Sequence, residues 1–228
     1  MISKFLKTFL GIILVPAALG FGKAFYLFIS NVSLFSDVLH IMERGILAYL
    51  LFHIFVIRPV YLYVLGHESV HVLATWLCGG KVVSFNVTPS GGNVVTSKTN
   101  FFIELSPYFV PIYTVIIGPV YIILESMGRT NSRISAIFVF FVGVTLAFHF
   151  VMTSDVIRMK QPDIIKSGFV FSFVTIFILN LIVVAAVFAP IFSDISFIEF
   201  IRSAWENSMG IYMNLYRKTL EIINTIMA

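Results

Sequence analysis

The chain of 228 residues is 59% hydrophobic and only 11% charged, and 25 of its residues are phenylalanine. Soluble proteins carry about 25% charged residues, so this composition excludes an ordinary soluble domain and predicts an integral membrane protein. The net charge of +4 does not indicate nucleic-acid binding, because the lysines and arginines are scattered at the ends of apolar runs, where they anchor helices at the membrane interface.

The first third of the chain consists of apolar runs interrupted by proline. Residues 5–30 predict a first span, which is retained rather than removed as a signal peptide because no small-residue cleavage pattern follows it. The stretch from Gly45 to Cys78 is also apolar, and it is too long for one straight crossing of a bilayer. Because proline removes a backbone donor and clashes with the preceding turn, Arg58-Pro59 predicts a break and a separate helix over residues 59–78.

This helix carries the motif Gly66-His67-Glu68-Ser69-Val70-His71, which has the form H-E-x-x-H. Residues four apart share one face of a helix, so the imidazoles of His67 and His71 can bind one Zn²⁺. Glu68 lies beside the first ligand, where it can take a proton from the water that such a metal activates. Ionisable residues inside an apolar helix are costly and usually functional. The motif therefore predicts a zinc site with Glu68 as the catalytic base.

The sequence changes character after the glycines that stop this helix. Residues 81–98 are rich in valine and threonine in partial alternation around the turn Pro89-Ser-Gly-Gly92, a pattern that predicts two short strands. A strand edge has no hydrogen-bond partners in lipid, so this insertion must lie at the surface or be shielded inside the bundle.

Three further spans are expected over residues 101–126, 134–154 and 164–192, and residues 193–228 form an amphipathic tail that indicates an interfacial helix. The predicted fold class is therefore an all-α polytopic membrane protein in a single domain over residues 1–228. It has about five transmembrane helices, a short β-strand insertion after the motif helix and an amphipathic C-terminal helix.

A catalytic zinc takes three protein ligands and keeps one position open. The spans between the motif helix and the polar link at residues 155–163 return the chain to the membrane face on which the motif helix ends. Asp163 begins a helix, where its carboxylate can turn into the bundle, whereas Asp155 ends a span; Asp163 is thus the preferred third ligand and Asp155 the alternative. His149 would lie deeper, as a partner of a ligand or a substrate contact. The other residues considered are His40, His53, Glu104 and Glu125.

The distribution of basic residues favours one orientation in the membrane. The face on which the motif helix ends would carry more lysine and arginine near the spans, among them Lys81, Lys98 and Arg158. Because cytoplasmic loops are enriched in these residues, the predicted zinc site lies nearer the cytoplasmic face of a multi-pass protein.

The motif, together with the segment Gly79-Gly-Lys-Val-Val-Ser-Phe-Asn-Val-Thr-Pro-Ser-Gly-Gly-Asn-Val94, resembles the site-2 protease family of intramembrane zinc metalloproteases. The likeness covers roughly residues 59–126, including Gly118-Pro119. It implies a zinc endopeptidase that cleaves transmembrane protein substrates within the bilayer. In that family an Asn-Pro…Leu-Asp-Gly pattern in a later helix supplies the third ligand, where this chain has Gln161-Pro162-Asp163.

Two other hypotheses come from different functional classes. One is a membrane enzyme acting on lipids. A di-iron hydroxylase of that class needs several histidine clusters, which five histidines do not supply, so a zinc-dependent lipid amidase is the form that remains open. The other is a catalytically inactive zinc protein that acts as a scaffold, although such a protein has no need of a base at Glu68.

Overall fold

The computed structural model describes residues 4–89, 91–158 and 161–227. Four of its helices are long and apolar enough to cross a membrane, and a fifth crossing results if one bent pair of helices is counted as a single span. This agrees with the coarser prediction of a helical protein with several candidate membrane spans. The helices are Lys4–Ser30 (α1), Asp37–Phe55 (α2), Val60–Leu77 (α3), Phe101–Leu105 (α4), Ile112–Ser126 (α5), Ser132–Ile157 (α6), Pro162–Ser167 (α7), Phe169–Phe188 (α8) and Phe197–Met227 (α9).

The helices group into two compact units, one made of α1, α8 and α9 and the other of α2 to α7 with the strands. In the first unit, α1 packs closely on both of its partners. A Cβ atom on Gly11 would lie 2.6 Å from the backbone nitrogen of Phe171 on α8, and one on Gly20 would collide with Ser208 on α9. Glycine at both positions lets the helix backbones meet. The amphipathic tail forms the continuous helix α9, as predicted for a helical tail.

The second unit contains the motif helix, whose limits agree with the prediction of 59–78. Helix α3 begins directly after Pro59. It ends in a left-handed turn at Gly79, with a φ of 68°, where the Gly79 and Gly80 amides donate to the carbonyls of Trp76 and Thr75. This is a Schellman ending, in which glycine adopts positive φ without strain. Helix α3 is not one of the four helices that are long and apolar enough to span a membrane; the polar residues of its motif lower its hydropathy.

The predicted strands follow as an antiparallel pair, Val82–Thr88 (β1) and Gly91–Thr96 (β2), and both pack on α3. Residue Ser90 of the predicted turn lies outside the described residues. Ser97 returns to the start of the hairpin, where its side chain accepts a hydrogen bond from the Lys81 amide. Because both strands pack on α3, the motif helix shields one side of the hairpin.

Two of the predicted spans are interrupted. The segment expected to be one helix over 101–126 is split into α4, a 3-10 turn at Ser106–Tyr108 and α5, with a bend of 78°. Pro107 and Pro111 lie at this break, and each removes a backbone donor. The segment expected over 164–192 is split into α7 and α8 by Gly168, which has a φ of 88°. The first interruption lies next to the candidate site, since Ile103 and Tyr108 contact its ligands.

Helices α2 and α6 form the most intimate contact of the second unit. A Cβ atom on Gly45 of α2 would collide with the Phe140 carbonyl, and one on Gly143 of α6 would collide with the Met42 carbonyl. The reciprocal pair of glycines therefore sets the distance between the two backbones.

We expect Gly143→Leu to separate α2 from α6. The substitution should destabilise the protein by ~1–3 kcal/mol, the range typical of overpacking. Thermal unfolding of the detergent-solubilised protein measures this effect. The matched control is Gly118→Ala, since no atom lies within 4 Å of the position a Cβ would take at Gly118. Equal melting temperatures for Gly143→Leu and the unchanged protein would contradict this description of the α2–α6 contact.

Candidate metal centre

The two motif histidines and Asp163 come together at one point. Their ligand atoms all lie within 4.8 Å of one another, and no other such group of three is found among the described residues. The Oδ2 atom of Asp163 is 3.5 Å from Nε2 of His71 and 3.9 Å from Nε2 of His67. The three side chains are largely buried, at 9%, 12% and 22% exposure for His67, His71 and Asp163.

Hydrogen bonds on the far side of each imidazole orient the rings. His71 Nδ1 donates to the backbone carbonyl of Ile103 at 2.8 Å. His67 Nδ1 lies 3.5 Å from the hydroxyl oxygen of Tyr63, whose own proton is donated to Thr153 at 3.4 Å. Because Nδ1 carries the proton in both rings, both Nε2 atoms present a lone pair towards Asp163. This is the arrangement by which partners of metal ligands select the tautomer and the ring orientation.

Asp163 is held at the start of α7 by contacts at both ends of that helix. The Tyr108 hydroxyl donates to Asp163 Oδ2 at 3.4 Å. At the other end, the Ser167 hydroxyl donates to Glu104 Oε2 on α4, and the Thr99 hydroxyl donates to Glu104 Oε1 at 3.1 Å. Glu104 therefore fastens α7 to α4 and is not one of the converging ligand atoms.

The charge state of Asp163 suits a metal ligand. Burial acts to raise the pKa of the Asp163 carboxyl, but the hydrogen bonds and charges of His67 and His71 outweigh it and hold that pKa well below its usual range. The carboxyl group is therefore ionised at neutral pH. Metal ions bind the deprotonated form of a carboxylate, so no proton has to leave Asp163 before a cation binds.

Glu68 lies next to this cluster and under the hairpin. The residue is 8% exposed. A Cβ atom on Gly92 of β2 would lie 2.5 Å from Glu68 Cγ, so only glycine allows the strand to pass over this carboxylate. The glycine of the second strand and the glutamate of the motif are thus in direct contact, 24 residues apart in the chain.

The alternative third ligand, Asp155, is not brought to the cluster. Its Oδ2 atom lies 3.8 Å from Nε2 of His53, and His53 Nδ1 lies 3.1 Å from the Tyr49 hydroxyl. The physical reason is that α6 continues to Ile157, which keeps Asp155 on the helix face that packs on α2. Asp163, on the following short helix, is free to turn towards α3. The linking residues Met159 and Lys160 lie outside the described residues.

The residues present fit a zinc ion. Two imidazole nitrogens and one carboxylate oxygen are a known catalytic zinc set, and ligand atoms around a tetrahedral zinc lie about 3.4 Å apart. The two distances from Asp163, 3.5 and 3.9 Å, are close to that spacing before any adjustment of the side chains. Three ligands leave the fourth position for water or substrate.

Several residues of the site were not predicted from the sequence. The Ile103 carbonyl, the Tyr63 hydroxyl and the Tyr108 hydroxyl hold the predicted ligands in place. Tyr63 lies four residues before His67 on the same helix face, so its contact could have been foreseen from helical spacing. The other two come from the broken segment after the hairpin, and no local pattern places them.

The predicted residue His149 is buried on α6 and takes no part in the cluster of ligand atoms. It lines a small cavity together with His67.

Comparison with known proteins adds no relative: no family model, no curated protein and no solved structure matches this chain.

We expect the purified protein to bind zinc in a 1:1 ratio, and His67→Ala and Asp163→Ala to lose it. Loss of one of three ligands removes both a bond and the closed geometry that favours the ion. Asp155→Ala is the matched control, because its carboxylate faces His53. Metal content after dialysis, measured by mass spectrometry, tests the ligand set. Zinc retained in Asp163→Ala and lost in Asp155→Ala would reverse the assignment.

Proposed function

We propose that the protein is a zinc-dependent endopeptidase that hydrolyses peptide bonds in or near transmembrane segments of membrane proteins, as a divergent relative of the site-2 proteases. The observation that carries this proposal is the convergence of both motif imidazoles with Asp163, beside the carboxylate of Glu68. A site that only stored or transported a metal would not require a buried carboxylate next to its ligands.

The residues have separate roles in the proposed reaction. His67, His71 and Asp163 hold the zinc, which when bound lowers the pKa of water to about 7 and polarises a carbonyl group. Glu68 takes the proton of the attacking water and then delivers it to the nitrogen of the departing amine. The hairpin shields Glu68 from bulk solvent, and a low-dielectric site strengthens the electrostatic interactions on which such a reaction depends.

The proposed substrate is a transmembrane segment because the site is built among helices of a very apolar unit. Peptide bonds inside a transmembrane helix are hydrogen-bonded within that helix and are inaccessible to an attacking water. The substrate must therefore unwind locally before cleavage, and residues of low helix propensity near the cleaved bond would favour this. The basic residues near the end of α3 support a site closer to the cytoplasmic face.

We expect Glu68→Gln to reduce cleavage by about 10²- to 10⁴-fold, the usual contribution of a general base, with zinc content unchanged. The probe is a fluorescent single-span peptide of leucine and alanine, roughly 25 residues long, with two central glycines to ease unwinding. Cleavage by protein in detergent micelles is followed by mass spectrometry of the products.

The matched control for this variant is Glu125→Gln, a glutamate at the far end of α5. It should cleave the probe like the unchanged protein. Full activity in Glu68→Gln would refute the proposed role of Glu68. Absence of cleavage by the zinc-loaded, unchanged protein would favour the scaffold or lipid-amidase alternatives.

A further inference from the structure

Strand β2 lies directly over the carboxylate that the proposed reaction requires. A Cβ atom at Gly92 would be 2.5 Å from Glu68 Cγ, 2.9 Å from Glu68 Cδ and 2.8 Å from Val64 Cγ1. The Cα atom of Gly92, one bond away from that position, is therefore in van der Waals contact with the Glu68 side chain. No peptide fits between the strand and the carboxylate in this conformation.

The small cavity on another face of α3 does not give a peptide a second route to the base. Its volume is about 10 Å³, which is room for about one water molecule, and Glu68 is not among its lining residues. A general base must come within hydrogen-bond reach of the reacting atoms, directly or through one water. Because Glu68 is buried under the strand, part of its surroundings has to move before a substrate meets it.

The hairpin is the part of these surroundings that is attached as a flap. Among the described elements, its two strands make extensive contact with α3 alone and with each other. Side chains of both strands are open to the outside, with Val83 71% and Val95 44% exposed, so no further layer covers them. Segments with few buried contacts open at a low free-energy cost, and the lids of active sites are drawn from such segments.

The base of the hairpin holds its two strands together, and its connection to α3 is made of glycine. The Lys81 amide donates to Ser97 Oγ at 2.8 Å, and the Ser97 amide donates to the Lys81 carbonyl at 2.9 Å. Outside this pair, the chain enters from α3 through Gly79 and Gly80, with a φ of 68° at Gly79. Glycine accepts changes in φ and ψ that other residues resist, so the strands can turn as one body about this point.

We propose that strands β1 and β2 form a lid, which is closed over Glu68 through Gly92 and turns about Gly79-Gly80 to admit a substrate. The inference rests on the proposed peptidase function and adds to it a control of access to the base. The closed form has no place for a peptide beside Glu68, so its population lowers the apparent affinity for a substrate. Any change that destabilises the closed form alone therefore raises that affinity.

Gly92→Ala tests the lid through an expected gain of binding. Its methyl group collides with Glu68 and Val64 in the closed form only. In a Glu68→Gln background, which keeps both colliding carbons of residue 68, we expect the affinity for the probe peptide to rise about tenfold, equivalent to about 1.4 kcal/mol. Fluorescence anisotropy measures this affinity. Gly118→Ala is the matched control, since its methyl group meets no atom within 4 Å, and it should leave the affinity unchanged.

A reversible lock acts in the opposite direction. In a Cys78→Ser background, Val64→Cys with Gly92→Cys brings two thiols within the reach of a disulfide, because Val64 Cγ1 is 2.8 Å from the Cβ position of residue 92 and one bond from its own Cβ. We expect oxidation to lower probe cleavage at least tenfold and reduction with dithiothreitol to restore it. Asn86→Cys with Asn93→Cys is the matched control, since it joins paired residues of the two strands and leaves the hinge free.

A third measurement follows the opening of the lid without any substrate. Glu68→Cys in the Cys78→Ser background places a thiol under β2, with its sulfur in the position of Glu68 Cγ. We expect Gly92→Ala to speed the labelling of this thiol by a small maleimide about tenfold, because the added methyl group destabilises the closed form. Circular dichroism and melting temperature show that each variant is folded.

The outcomes separate this inference from the proposed function. If the oxidised and reduced forms of the lock cleave the probe equally, the lid is overturned and the peptidase function stands. If Gly92→Ala speeds labelling but the unchanged protein neither binds nor cleaves the probe, the lid stands and the peptidase function is overturned. Unchanged or weaker binding and unchanged labelling in a folded Gly92→Ala protein overturn the lid. If Gly92→Ala does not fold, the comparison of the oxidised and reduced lock decides alone.

Discussion

The site depends on the attachment of two short helices, α4 and α7, to each other and to the motif helix. Glu104 on α4 binds Ser167 at the end of α7, and the Tyr108 hydroxyl reaches Asp163 at its beginning. The carbonyl of Ile103, also on α4, orients His71. One broken segment of chain thus positions two of the three ligands, and a straight helix in its place could not offer a free carbonyl to the metal centre.

Close backbone contact is the second constraint on this protein. Gly45 and Gly143 allow α2 and α6 to touch, and Gly92 allows β2 to cover Glu68. Hydrophobic burial provides no driving force between helices in lipid, so packing of small residues and polar contacts must hold them together.

Two separate sets of ionisable side chains lie inside this apolar unit. One contains the ligands and the residues that orient them, and the other pairs His53 with Asp155 and Tyr49. A buried charge is costly unless it is paired, so the second set is explained by its own internal contacts. The Nε2 atom of His149 belongs to neither set, because it is buried with no hydrogen-bond partner among the described residues.

The sequence by itself determined the features that depend on neighbouring residues. The motif helix over α3, its start after Pro59, its glycine stop and the two strands follow from helix periodicity, proline geometry and strand propensity. The presence of several helices able to span a membrane follows from the length of the apolar runs. For the third metal ligand, the sequence only narrowed the candidates to Asp163 and Asp155. The two residues are eight positions apart, and each lies at the predicted end or start of a helix, so local patterns do not separate them.

Tertiary structure decided what depends on contacts across the chain. It brought Asp163 to the histidines and Asp155 to His53, since α6 extends far enough to turn Asp155 towards α2. It broke the segment at 101–126 and thereby supplied the Ile103 carbonyl and the Tyr108 hydroxyl. These partners lie 32 residues from His71 and 55 from Asp163, respectively. No local pattern encodes such distances, because they result from the packing of whole helices.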